Sequence, residues 1–287
     1  MHAAQPCSPP PDDPPQARRP PDAPEPAAVH ARGDPGLAEA VAALAARLPP
    51  LAEPPEAALA AEACRLAWRP DPLRLLLLAE SHMATGAAEL ECRLSLPPGL
   101  NWPGPRRFVR HVYCAGYGEP EAVDPPAAVP RNLGTLQYWR LLCAVEGEAM
   151  PAWPGLRKAA GTGLAARLRA KAGLLHRLRA RGIWLTDASL VALAGPGQPR
   201  ASPRRQAEAL AESWRLYHGA VLPGLEPAHV VVVGLGVARL LGPRLDAAFP
   251  GRWSAVPQPN ARLPATRAAA LRRHLAAAAR FAPESKD

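Results

Sequence analysis

The stretch Leu73-Arg74-Leu75-Leu76-Leu77-Leu78-Ala79, running straight into Glu80-Ser81-His82, decides how this sequence is read. Apart from Arg74, its first seven residues form a short, continuous apolar run. A strand covered on both faces by helices has that composition, because no position alternates toward solvent. The run stops abruptly at three polar side chains. In an open parallel sheet, ligands bind just beyond the carboxyl ends of the strands. One segment therefore points both to a fold class and to the place where chemistry would sit.

Working outward, three more segments read as strands: Ile183-Trp184-Leu185-Thr186-Asp187, then His229-Val230-Val231-Val232-Val233, then Trp253–Val256. Helices separate them. Leu37, Val41, Leu44 and Leu48 recur at helical spacing and predict a helix over 37–48. A second is expected over 56–68, closed by the breaker Arg69-Pro70-Asp71-Pro72. Further helices are expected over 133–145, 164–180, 204–218 and 265–279, with one leaving Gly234-Leu235-Gly236 and running through Leu241. Phe108, Val109, Val112 and Tyr113 suggest another short helix before the loop Gly116-Tyr117-Gly118-Glu119-Pro120. Together these elements predict a three-layer α/β/α domain over 35–287, with a short four-stranded parallel sheet between helical layers and right-handed crossovers. Residues 1–34 are dense in Pro and poor in large apolar groups, and are expected to be a disordered tail.

The 287 residues can bury a sizeable core. A formal charge of +9, nearly all of it from Arg, favours a polyanionic partner, with a plainly solvated surface as the alternative. The lysines are Lys158, Lys171 and Lys286. A GC-rich genome would by itself produce much of the Ala, Arg and Pro skew. The five cysteines, Cys7, Cys64, Cys92, Cys114 and Cys143, lack ribbon or redox-pair spacing. An odd count with no apolar leader predicts reduced thiols in a cytoplasm. The apolar runs fall short of the roughly 18 residues a membrane span requires, so a soluble protein with no membrane partner is expected. The basic 164–180 helix is read chiefly as a structural helix with a solvated face.

The side chains singled out lie at three strand ends: Glu80, Ser81 and His82 after the first, Asp187 after the second, Gln258 and Asn260 after the last. Their convergence predicts a pocket. Each also has a bland reading: Glu80 as a surface carboxylate or cap, His82 as a packing residue, Asp187 as a helix N-cap, Gln258 and Asn260 as shapers of the turn at Pro259. Arg262 follows that turn, where a phosphate contact would fit. Gly234-Leu235-Gly236 suggests a nucleotide turn, but Arg239 stands where a third glycine belongs and no ribose-binding acid follows. Ser81 is not in a Gly-x-Ser-x-Gly elbow, which argues against a serine hydrolase. No cofactor or metal site is expected.

In their order, the motifs LLLLAESH, IWLTDAS, VVVVGLG and VPQPNAR resemble the uracil-DNA glycosylase superfamily, over about Leu73 to Ala279. That resemblance implies a DNA partner and hydrolysis of the N-glycosidic bond of a damaged or modified base. By position it implies that Glu80 or His82, the two catalytic candidates, serves the attacking water and the oxocarbenium-like sugar. It likewise places Asp187 at the flipped base, Gln258 where the superfamily has a His, and Asn260 with Arg262 at phosphate, with Ser81 a further substrate-binding candidate. Phe108, Tyr113 or Tyr117 would stack on the base. Two positions depart from the pattern. An Asn that reads uracil both donates and accepts, whereas an ionised Asp187 only accepts. Gln258 offers a neutral hydrogen bond where a His would stabilise more developing charge. A non-catalytic nucleic-acid-binding module on the same fold, and a small-molecule or nucleotide-binding α/β enzyme using the Gly234–Gly236 turn, are the rival readings.

Overall fold

In the computed structural model, the described residues are 35–48, 53–125, 136–158, 161–195, 200–259 and 263–282. All lie in a single unit spanning Gly33–Asp287. The expected disordered tail, Asn260 and Arg262 fall outside the described residues.

The chain opens with α1 (Pro35–Arg47) and α2 (Pro55–Ala67), then enters β1 (Leu75–Ala79). A short turn of helix, α3 (Ala87–Leu90), precedes a small antiparallel pair, β2 (Arg93–Leu94) and β3 (Val123–Asp124). Next come α4 (Leu136–Glu146), α5 (Trp153–Leu156), α6 (Leu164–Ala180) and β4 (Ile183–Asp187). The remainder is α7 (Pro203–Ser213), α8 (Gly219–Gly224), β5 (His229–Val233), α9 (Leu235–Ala248), β6 (Trp253–Val256) and α10 (Ala265–Ala278).

Strands β4, β1, β5 and β6 lie side by side in that order and all run parallel. The fold is thus mixed α/β, with a four-stranded parallel sheet flanked by helices. β1 is central, with Leu77 opposite Leu185 on one side and Val231 on the other. Every residue of β1 is fully buried, as its unbroken apolar sequence requires. Gly182 links α6 to this sheet. Its φ is +75°, and a Cβ there would meet Arg74 Cγ at 2.7 Å and Pro72 O at 2.8 Å. Its carbonyl accepts from the amides of Arg74 and Leu75. Glycine is the residue that allows both the backbone angle and the approach.

Strands expected at Ile183–Asp187, His229–Val233 and Trp253–Val256 have those bounds, and the helix over 164–180 has the bounds of α6. Three expectations change. The segment around Phe108–Tyr113 is a run of turns, not a helix. Two of its amides are taken by other segments: Phe108 N–H donates to Cys92 O and Arg110 N–H to Thr85 Oγ1, both at 2.9 Å. The helix expected over 204–218 ends at Ser213 and gives way to a π-helical turn, Trp214–His218. Gly219 closes it, since a Cβ there would lie 2.8 Å from Trp214 O. Finally, α6 is not simply solvated. Its Arg167 and Lys171 are buried against Glu119, at 2.7 and 2.6 Å.

Candidate functional site

Beyond the C-terminal end of β1 the ladder with β4 continues past the strands: Ala188 N–H donates to Ala79 O and Ser189 N–H to Glu80 O. This holds the two strand ends together, and a cavity of about 250 Å³ opens beside them. Glu80, Ser81, His82, Asp187 and Gln258 all line it, so the described side chains among those expected after β1, β4 and β6 share one cavity. Ser81 Oγ accepts the amide of Leu193 at 3.3 Å. Glu80 Oε2 accepts from Gln258 Nε2 at 2.5 Å and from Arg200 Nη2. Gly234 (φ +132°) makes room for this arrangement, because Gln258 Cγ lies 3.2 Å from where its Cβ would stand. The space beside that turn is filled by Gln258.

Beneath the cavity lies a charge cluster organised by Arg65, which is fully buried in α2. Its Nη2 donates to Asp187 Oδ2 at 2.8 Å and to His82 Nδ1 at 2.9 Å, its Nε to His111 Nε2 at 3.2 Å, and its Nη1 pairs with Glu62. The carbonyl of Arg65 accepts from Trp184 Nε1, which fastens α2 to β4. Asp187 is therefore an ion-pair partner of the sheet's floor, not a helix N-cap: turns follow β4. Burial alone would raise its pKa. The Arg65 charge beside it, with the His82 and His111 contacts, outweighs burial and holds the carboxyl well below the usual carboxylate range. Asp187 is ionised and accepts only.

His82 is sealed at both nitrogens. Because Arg65 can only donate, His82 Nδ1 accepts, and Nε2–H donates to Glu53 Oε1 at 2.8 Å. Burial opposes the imidazolium, yet Glu53 and Asp187 on either side raise the pKa overall. The ring thus stands in the wall as a brace between carboxylates. His111 moves the other way: burial, and then Arg65, push it well below the ordinary imidazole value. Glu53 also accepts the amides of Ala192 and Thr85, at 2.8 and 3.3 Å, tying the segment before α2 to the turns after β1 and β4.

The aromatic candidates separate cleanly. Phe108 is core. Tyr113 is also buried, and its hydroxyl accepts the Leu185 amide at 2.9 Å, which satisfies the open edge of β4. Tyr117 lines the cavity, and so does Tyr138 of α4. Burial, with Asp187 and Glu80 nearby, raises the Tyr138 pKa far above its ordinary value, so its hydroxyl stays protonated beside two carboxylates.

Sequence reasoning did not find Glu53, Arg65, Arg110, His111, Tyr138 or Arg200. Arg65 alone left a trace, as a cation on the same helix face as Ala57, Ala58, Ala61 and Cys64. Among the described residues, no group of three or more His, Cys, Asp or Glu could hold a metal ion, and Cys64, Cys92, Cys114 and Cys143 are all unpaired and buried. No described helix is long and apolar enough to cross a membrane. No family model, curated protein or solved structure matches the chain.

Proposed function

We propose that this protein hydrolyses the N-glycosidic bond of a damaged or modified base in DNA, as a uracil-DNA glycosylase-like enzyme. The observation that carries this reading is the meeting of Glu80, Asp187 and Gln258 in one cavity at the carboxyl ends of β1, β4 and β6. A target base must leave the stack to reach such a cavity. There Glu80 accepts the proton of the attacking water, and its charge favours the oxocarbenium-like sugar. Gln258 Nε2 carries two hydrogens, so it can hold Glu80 and still donate to the departing base. Asp187, accepting only, selects a base that presents an N–H or amino group. Tyr117 and Tyr138, which line the cavity, pack on it in this reading. His82 acts through Arg65 and Asp187 as a positioning residue. The charge of +9 suits a polyanionic substrate.

The test is a panel of labelled oligonucleotides carrying uracil, hypoxanthine, xanthine, and oxidised or alkylated bases, followed by alkaline cleavage of abasic sites. Cleavage at one or more lesions is expected, with a loss of about 100-fold or more in Glu80→Gln. Undiminished activity in that variant removes Glu80 from its role. Salt-sensitive DNA binding with every base left intact would instead favour a binding module whose Glu80 stays neutralised by Arg200.

A further inference from the structure

The rim of the cavity holds a contact that its floor does not require. Arg200 reaches Glu80 Oε2 while its own side chain is 49% exposed and that of Glu80 is 14% exposed. Gln258 Nε2 occupies the same oxygen. The carboxylate assigned to take the proton of water is thus neutralised by a guanidinium at the mouth. The backbone that follows Arg200 is anchored: Ala201 N–H donates to Leu193 O at 2.9 Å, and Ser202 Oγ caps α7 by accepting from Arg205 N. Its long side chain is what can exchange partners. A half-exposed ion pair contributes little to stability, so a competing anion of better shape displaces it. A phosphodiester is such an anion, because the planar guanidinium fork matches two of its oxygens.

We propose that Arg200 couples substrate binding to chemistry: a phosphodiester of the bound nucleic acid draws its guanidinium from Glu80, and the released carboxylate accepts the proton of the attacking water. This rests on the glycosylase reading. In the step, the water oxygen bonds to C1′, the C1′–N bond breaks with its electron pair leaving on the base, and the water proton passes to Glu80. Without a phosphodiester at Arg200, Glu80 stays in the ion pair.

Two measurements on the full chain test this. The first is hydrolysis by Arg200→Ala of a 2′-deoxynucleoside and of an oligonucleotide carrying the same base. The nucleoside reaction is expected to rise up to about fivefold as the ion pair is removed. The oligonucleotide reaction is expected to fall about tenfold as a charged phosphate contact is lost. Changes of the same sign, or an unaltered nucleoside rate, overturn the coupling.

The second measurement needs no turnover. A thymidine tetranucleotide is added while the 13C resonance of the Glu80 carboxyl is followed. The resonance is expected to move toward its position in probe-free Arg200→Ala; no movement overturns the exchange. Exchange without any base release would leave the exchange standing and remove the glycosylase reading. Base release without exchange would do the reverse.

Discussion

Two buried charge clusters, around Glu119 and around Arg65, use similar residues and differ in what closes them. Glu119 is satisfied from all sides: Arg167 holds Oε2 at 2.7 Å, Lys171 holds Oε1 at 2.6 Å, and Arg167 Nη1 turns away to Thr162 O. Burial would raise the Glu119 pKa, but Arg167 and Lys171 outweigh it and lower it. Burial dominates at Lys171, whose pKa falls despite Glu119. This cluster ties the loop before β3 to α6, and its Glu119, Arg167 and Lys171 are not among the residues that line the cavity beside Glu80. The Arg65 cluster is closed below by α2 and open above, where His82, His111 and Asp187 form cavity wall. The contrast separates a structural tie from a candidate site: both hold charge in the interior, but only the Arg65 cluster borders the cavity beside Glu80.

Removing the organiser of the open cluster has the largest expected effect. Arg65→Ala strands Asp187 and Glu62 as buried carboxylates, and should cost about 3–5 kcal/mol in urea unfolding. A loss comparable to that of a surface arginine would show that the cluster is not held by Arg65. The closed cluster should respond less. Glu119→Gln keeps the side-chain shape and should cost about 2 kcal/mol through weakened charged hydrogen bonds. Base release should be unchanged, and a changed rate would erase the distinction between the clusters.

A smaller effect is expected from acid. His218 lies fully buried behind Arg65, neither nitrogen has a hydrogen-bond partner among the described residues, and burial, then the Arg65 charge, press its pKa down to about 3. The unfolded imidazole titrates near 6.5. Between these values the unfolded chain binds a proton that the native chain refuses. Stability from this group is therefore complete above about pH 6.5 and is lost as pH falls toward 3. His111 shifts in the same direction and adds to the loss. Between pH 7 and pH 5 the His218 contribution is about 2 kcal/mol. His218→Phe should flatten that part of the stability profile and add about 1 kcal/mol at pH 7, since it removes two unsatisfied polar atoms. An unaltered slope in the variant would place the acid sensitivity elsewhere.

What could be read in the sequence was local. A continuous apolar run and the breakers around it specify a buried strand, and 3.6-residue spacing specifies a helix, because neighbours on the chain create those patterns. For that reason β4, β5, β6 and α6 have their expected bounds, and Glu80, Ser81, His82, Asp187 and Gln258 were legible as strand-end residues. The Phe108–Tyr113 segment misled because its apolar side chains fill the core while the amides of Phe108 and Arg110 bond to Cys92 and Thr85, distant in sequence. The π-helical turn at Trp214–His218 was hidden for a similar reason: Ser213 Oγ is fixed by the Leu190 amide, a contact no local pattern encodes.

The sequence by itself determined the parallel sheet, the order of its elements and the polar ends of three strands, since each follows from periodicity within a few residues. Tertiary structure alone decided the states and partners of those polar groups. Arg65 comes from α2, His111 from a loop, Arg200 from the segment before α7 and Glu53 from before α2. Their charges act over a few ångströms in a medium that screens weakly, so Asp187 is ionised, His82 braced and Glu80 paired only once distant parts of the chain have been packed together.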